Sequence, residues 1–422
     1  MNFGSKLKMI WEDKSLRGRL LFILGALFIS RLLATIPIPG IDAAKLATFF
    51  SGSEFFGFLN IFSGGGMSNL SIVMLGVGPY ITASIIMQLL TMMSPRIKAM
   101  YQEEGEAGRK KFNNYSRLIT VPIAIVQGFG FLVIFQRSGL IADLGLANLS
   151  MNLLVIVAGS MVMMWIGELM TEFGIGNGTS LLIFAGIVSR LPTEISRMSL
   201  SFSASQIPVF ILFIAVALIV IYAVVFISEA ERPVPVTYAK RVRGSQVSGG
   251  VSTYLPLRVN QAGVIPIIFA MSILLFPQMI FKFISGITSG TIASIASTLN
   301  DWISNQWIYA ALYFLLVFVF TYFYTAITFD PDQISKNLQQ GGAFIPGVRP
   351  GASTSEYLGK VLTRITLVGA LFLGIIAVLP LIVKSLTGIT AIAIGGTALL
   401  IVVSVVIDLI KKIEAQITMR EY

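Results

Sequence analysis

Apolar and polar positions in this chain fall into long blocks, not the short alternation of a half-buried strand. Ten blocks are apolar over most or all of a bilayer-crossing length: 20–36, 72–93, 118–135, 152–170, 179–191, 207–228, 262–284, 308–328, 361–383 and 389–410. A helix needs about 20 mostly apolar residues to cross roughly 30 Å of hydrocarbon, so the blocks predict an all-α, polytopic membrane protein with ten transmembrane helices. The fifth block is short and follows Gly174, Gly176 and Gly178. Neighbouring helices must shield it, or the bilayer must thin around it. The basic start of the chain leads into an apolar run that continues to Ile36 and Pro37 without a small-residue cleavage site. It reads as a first span and not as a cleaved leader.

Three intervening segments carry patterns of their own. Residues 55–71, between the first two spans, hold a short apolar run followed by Gly64, Gly65 and Gly66. The run cannot cross a bilayer. It is either a re-entrant half-helix, whose irregular backbone must be buried in protein or line a cavity, or a helix resting on the interface. The 229–261 loop has two β-prone runs around a Gly-rich turn, which places Lys240, Arg241 and Arg243 at a protruding tip. In the 329–360 loop, Asp330 can cap a short helix beginning at Pro331, and Gly341 with Gly342 can end it. Arg349 follows, held between Pro346 and Pro350, a stiff exposed position suited to docking a partner. The same cations read equally well as the ordinary basic residues of cytoplasmic loops.

Composition agrees with a lipid-solvated chain. Of 422 residues, 55% are hydrophobic and 12% charged, against roughly 25% charged in soluble domains. The net charge is +10. Placing the N-terminus in the cytoplasm puts 23 of the 30 Lys and Arg residues on that side and six on the other, with Arg31 inside the first span. That asymmetry sets both termini in the cytoplasm and accounts for the basic balance without nucleic acid. The spans divide into an N-terminal half, 1–200, and a C-terminal half, 201–422, of five spans each. Five is odd, so a second half resembling the first must be inverted, and inverted halves place a pathway along their interface. Ten helices without internal symmetry are the alternative. Charges within the spans lie near helix ends: Arg31 is five residues from the outer end of its span, within snorkelling reach, and Glu168, Glu229 and Asp408 sit at cytoplasmic ends. A neutral midplane argues against a proton- or sodium-coupled pump.

No nucleophile–base set is visible. Cys and His are both absent, which removes disulfides, a thiol nucleophile, the commonest general base and the commonest metal ligand. No metal, cofactor or catalytic residue is expected. GIGNG at 174–178 superficially resembles a nucleotide-binding Gly loop, but it lies between two membrane spans with no preceding strand. GEAGRKK at 105–111 lacks the spacing and the Lys-Ser/Thr pair of a phosphate loop. Glu103, Glu104 and Glu106 fall in a solvated loop and need no catalytic explanation.

Six stretches, in order along nearly the whole chain, resemble the SecY family, the channel subunits of the bacterial protein translocase. They are IPIPGID at 36–42, GVGPYITASIIMQLL at 76–90, GIGNGTSLLIFAGIV at 174–188, VNQAGVIPIIFA at 259–270, GAFIPGVRPG at 342–351 and GGTALLIVVSVVID at 395–408. The resemblance implies a clamshell of two inverted five-helix halves around an hourglass pore. Such a pore is a passive channel that translocates secretory polypeptides across the cytoplasmic membrane and releases membrane proteins laterally into it. A plug helix would close the outer funnel. Residues 55–71 match its position, with Phe58, Leu59, Ile61, Gly64, Gly65 and Gly66 as its residues.

The same resemblance implies an apolar ring at the pore waist, formed by Ile81 and Ile85 in the second span, Ile183 and Ile187 in the fifth, Ile268 in the seventh and Ile401 in the tenth. Residues four apart share a helix face, and an apolar constriction blocks ions by dewetting. Without the family, an isolated Ile in such a helix reads as packing or lipid contact. Gln88 and Asn260 match polar positions of a lateral gate. The 229–261 and 329–360 loops would dock the ribosome or the SecA ATPase, with Lys240, Arg241, Arg243 and Arg349 as contacts. The small membrane subunits SecE and SecG, signal sequences, nascent polypeptides and the lipid bilayer complete the implied partners. The chain departs from the family after the tip, where Ser245, Gln246, Val247 and Ser248 stand in place of basic and aromatic residues. The main alternative is a secondary transporter with an inverted repeat, which substrate-coupled ion flux would favour.

Overall fold

The computed structural model describes residues 12–39, 63, 65–67, 69–137, 139, 145–189, 192, 196, 207–238, 241–243, 246–248, 252–287, 291–387 and 390–421. Its helices in chain order are α1 (Lys14–Thr35), α2 (Gly78–Met93), α3 (Pro95–Gln102), α4 (Gly105–Arg137), α5 (Leu146–Phe173), α6 (Gly178–Val188), α7 (Ile207–Glu229), α8 (Ile265–Ile287), α9 (Thr291–Ser304), α10 (Gln306–Thr328), α11 (Pro331–Gln340), α12 (Ala352–Thr387) and α13 (Thr390–Glu421). Each of the ten apolar blocks falls on one of these helices. Among the described residues, the spans within α1, α4, α5, α10 and α12 are long and apolar enough to cross a membrane by themselves.

Helix surfaces carry the mark of an apolar solvent. Along α1, Leu16, Ile23, Ser30 and Ala34 form a buried stripe at spacings of one or two turns, while Leu24, Phe28 and Leu32 stand bare. On α7, Leu218, Ile219, Tyr222 and Phe226 are likewise exposed. In water such faces would drive association; in hydrocarbon they are at home.

The boundaries differ from expectation where local hydrogen bonding competes with the helix. The second block was expected to be helical from 72, but residues 70–77 form successive turns instead. Met74 N donates to Ser71 O (2.9 Å), Gly76 N to Val73 O (2.8 Å) and Gly78 N to Leu75 O (3.1 Å). This segment is also tied to the end of α1 by Ile38 N to Leu70 O (2.9 Å) and Ile72 N to Ile36 O (3.0 Å). Pro79, in the first turn of α2, starts the helix. Helix α4 begins at Gly105, well before the third block, because its polar start pairs with α3. Met87, Met100 and Phe112 make a small core there with Leu90, Ile97, Tyr101 and Ile119. Glu103, Glu104 and Glu106 are exposed, as expected. Helix α9 was not expected at all. Its apolar side chains Ile292, Ile295, Leu299 and Trp302 recur at helical spacing and are exposed, but they alternate with polar residues and so form no apolar block.

The short fifth span is α6, 11 residues or about 16 Å long. The 174–178 motif is the tight turn that delivers it. A Cβ at Gly178 would lie 2.1 Å from Gly167 O, so only glycine lets α6 approach α5 there. Gly178 N donates to Thr171 Oγ1 (2.9 Å), and Asn177 caps α6 by accepting from Ser180 N (3.1 Å).

The chain forms two units. One comprises Met1–Ile207, Ser272–Asn305 and Val405–Tyr422; the other comprises Pro208–Met271 and Gln306–Ser404. Within the first, α5 packs against α1, α4 and α6. Arg117 Nε donates to Glu168 Oε1 (2.8 Å), joining α4 to α5 at the charged end of the latter. Within the second, α10 lies along α12, close enough that a Cβ at Gly374 would meet the Phe314 ring at 2.8 Å. Gln306 Nε2 donates to Leu381 O (2.8 Å) at one end of this pair, and Tyr322 Oη to Thr363 O (3.3 Å) nearer the other.

The second unit also holds a three-stranded antiparallel sheet made from both long loops. Its strands are β1 (Glu231–Tyr238), β4 (Ser252–Arg258) and β5 (Ala343–Phe344), in the order β4-β1-β5. Glu231 pairs with Arg258 at one end of β1–β4, and β5 adds to β1 only at Thr237 and Tyr238. Pro233 and Pro235 therefore sit where β1 has a neighbour on one side alone, the place where a missing N–H is tolerated. Between β1 and β4, β2 (Arg241–Arg243) and β3 (Gln246–Ser248) form a separate two-stranded hairpin. Val234, Val236, Leu257, Ala343, Ile345 and Leu358 form one buried core, with Ile334 and Leu338 of α11 packed on it. The two loops are thus a single folded module anchored on the start of α12.

Candidate functional site

All six isoleucines of the expected waist are buried. On α2, Ile81 is 7% and Ile85 2% exposed, while the adjacent Ile86 is 38% exposed, so the first two share the protected face. On α6, Ile183 and Ile187 are buried together with Leu181 and Leu182, the enclosure a short span requires. Ile268 on α8 and Ile401 on α13 are buried as well. The first four belong to one unit and the last two to the other.

The two amides matched to a lateral gate share an unusual property. Gln88 Oε1 and Asn260 Oδ1 are shielded from solvent and lack a hydrogen-bond partner among the described residues. Asn260 uses only its Nδ2, which donates to Gly263 O (3.3 Å). An orphaned amide oxygen costs on the order of 1–3 kcal/mol, so both positions hold an acceptor in reserve.

Of the expected plug residues, Phe58, Leu59, Ile61 and Gly64 lie outside the described residues. Gly65 and Gly66 are described and buried, as are Ser63, Met67, Leu70 and Ser71. The turn is knit by Met67 N donating to Ser63 Oγ (2.9 Å), Gly66 N to Ser63 O (3.2 Å) and Ser71 N to Gly66 O (2.9 Å). Ser160 on α5 donates its Oγ to Gly76 O (3.0 Å), pinning the same segment from another side. Arg31 does not snorkel. Its side chain turns inward, and Nη2 donates to Ala185 O on α6. The partial negative charge at a helix's last turn outcompetes the water interface for the guanidinium. A lone cation in an apolar helix was the available signal; its partner, 154 positions away, was not.

Arg349 projects from the module, exposed and without an ion pair among the described residues. Its turn is rigid: Thr354 Oγ1 donates to Arg349 O (2.9 Å), Val348 N to Ile345 O (3.1 Å) and Ser335 Oγ to Gly351 O (2.6 Å). Asp330 caps α11 as expected, accepting from Asp332 N (3.0 Å) and Gln333 N (3.3 Å). Arg241 and Arg243 lie on β2, opposite Ser248 and Gln246. Lys240 lies outside the described residues.

The family model for SecY matches residues 71–410. The protein translocase subunit SecY of Mycobacterium bovis is 42% identical over 431 aligned residues, covering 96% of each chain. A SecY structure described as showing that the plug domain stabilises the closed state of the translocation channel superposes with a TM-score of 0.65 at 19% identity, covering 96% of this chain and 93% of that one. Sec61 from the canine ribosome–channel complex of the endoplasmic reticulum superposes with a TM-score of 0.64 at 19% identity and the same coverage.

Proposed function

The chain belongs to the SecY family, and on that premise we propose that it is a passive protein-conducting channel of the cytoplasmic membrane, worked by a SecA-like motor or a ribosome. SecE- and SecG-like subunits accompany it. The single observation that carries the waist is the burial contrast on α2, where Ile85 is shielded and Ile86 is not. Apolar side chains form a compliant seal, since they yield to a passing chain without breaking hydrogen bonds and make a narrow water column unfavourable. The transporter alternative loses its support with the family assignment. Residues 55–71 act as the plug. Gln88 and Asn260, with their unpartnered oxygens, mark the edges that open to lipid, where an incoming signal sequence can offer donors.

A photoreactive residue at position 85 is expected to crosslink to a stalled secretory polypeptide, and one at position 86 is not. Equal crosslinking from both would remove the waist assignment on α2.

The 231–258 hairpin and the Arg349 turn are the cytoplasmic docking module. If Arg241 and Arg243 meet ribosomal RNA, affinity falls steeply with salt through counterion release. Reversing both charges is expected to reduce the slope of log affinity against log salt by about 1–2. An unchanged slope would leave these arginines as topology signals alone.

A further inference from the structure

We propose that Arg31 is a positioning residue that latches the plug's trailing segment, residues 63–77, to the end of α6 and so sets the resting position of the gate. This rests on the channel reading above. A cation in an apolar helix is expensive unless its charge is satisfied. Four residues from the helix end, the interface is within reach, yet the guanidinium faces the protein. Its Nη2 donates to Ala185 O, which also accepts from Ser189 N (3.1 Å) in the closing turn of α6. A positive charge belongs at that end of a helix.

The other arm of the guanidinium occupies the space over Gly65. A Cβ there would lie 3.1 Å from Arg31 Nη1, and Gly65 has φ +91°, which side-chain-bearing residues rarely adopt. At Gly66 a Cβ would lie 2.8 Å from Ser71 Oγ and 2.9 Å from Val73 O. The glycines thus bring the backbone under the arginine, and Asn69 Nδ2 donates to Ala34 O (3.3 Å), three residues further along the same helix. One side chain therefore joins three elements: its own helix, the segment that follows the plug, and the short helix that carries Ile183 and Ile187. Displacing the plug's trailing end strains the contact with α6, and a shift of α6 loosens the turn beneath Gly65.

The chain contains no cysteine, so Ser63→Cys supplies a single thiol at a side chain that is 1% exposed. With the channel and its small partner subunits in vesicles, a membrane-impermeant maleimide applied from the outer side should label the introduced thiol slowly. Adding Arg31→Gln is expected to speed labelling about tenfold or more, because a charge-assisted hydrogen bond to a partly buried carbonyl no longer opposes local opening. Arg31→Lys, which keeps the charge but not the two-armed reach, should fall between. Resting ion leak should rise in the same order. Identical labelling in the Gln and Arg channels, at equal melting temperature, would overturn the latch. Should the Gln variant fail to assemble, the Lys variant carries the test, and labelling no faster than with Arg would overturn it. Labelling does not require conduction, so faster labelling with no leak would retire the plug reading of this segment and leave the latch standing.

Discussion

Arg349→Glu is expected to stop motor-driven export while the protein remains in the membrane at its normal level. Arg349 is exposed, so exchanging it costs the fold little, within about 0.5 kcal/mol for such a surface site. Its surroundings make it more than a surface charge. The turn is bounded by Pro346 and Pro350 and has Gly347 at φ 83° and Gly351 at φ 99°. The bonds from Thr354 Oγ1 and Val348 N hold the backbone on either side of it. A guanidinium presented this way binds a carboxylate with little ordering cost. Losing one side of such a charge pair at an interface costs on the order of 2–5 kcal/mol, and reversal adds repulsion. Affinity for the motor should then fall by at least about thirtyfold, with Arg349→Ala less affected than Arg349→Glu. Export of a reporter into vesicles, measured beside the quantity of channel in them, checks this. Wild-type export by the Glu variant would remove Arg349 from the docking site.

Ile401→Asn and Ile268→Asn are each expected to raise the resting ion leak and to admit weakly hydrophobic signal sequences. A polar group in a dry constriction gives water a hydrogen-bond partner, and the dewetted state that blocks ions becomes less favourable. Ordinary packing makes a different forecast. Burying an unpartnered amide in a core costs roughly 1–3 kcal/mol, so the variants would melt earlier and leak no more per folded channel. Ile410, also on α13 but 48% exposed, is the control, and Ile410→Asn should leave leak unchanged. Conductance and signal selectivity are read from the same vesicles. Equal leak from Ile401→Asn and Ile410→Asn would end the waist assignment on α13.

The spans were legible because a bilayer imposes one strict demand, an unbroken apolar length, and local sequence records it. Where the demand relaxes, the record weakens. Residues 70–77 are as apolar as a helix, but their N–H groups are taken by turns and by the end of α1. The half-polar α9 forms no apolar block although Ile292, Ile295, Leu299 and Trp302 keep helical spacing. The β-runs of the 229–261 loop and the cap at Asp330 were legible from turn and capping residues. Their union through β5 was not, since Ala343 meets Tyr238 across more than a hundred residues and no local pattern encodes such a partner. Arg31 is the same case in reverse. Its distance from the helix end allowed either water or protein, and only the arrival of Ala185 decides between them.

Helix α12 runs from Ala352 to Thr387, with Pro380 inside it near the far end, about 54 Å at 1.5 Å per residue. Its first turns belong to the core of the loop module through Leu358, and its remainder lies against α10. No loop separates the Arg349 turn from the span: the start of α12 is keyed by Thr354 Oγ1, Thr363 O is clasped by Tyr322, and Leu381 O, just past Pro380, is held by Gln306. A load applied at that turn is therefore passed directly into α12 and its companion as far as Pro380, where the helix lacks one backbone hydrogen bond. The proposed motor contact and the helix it would load are one piece of protein.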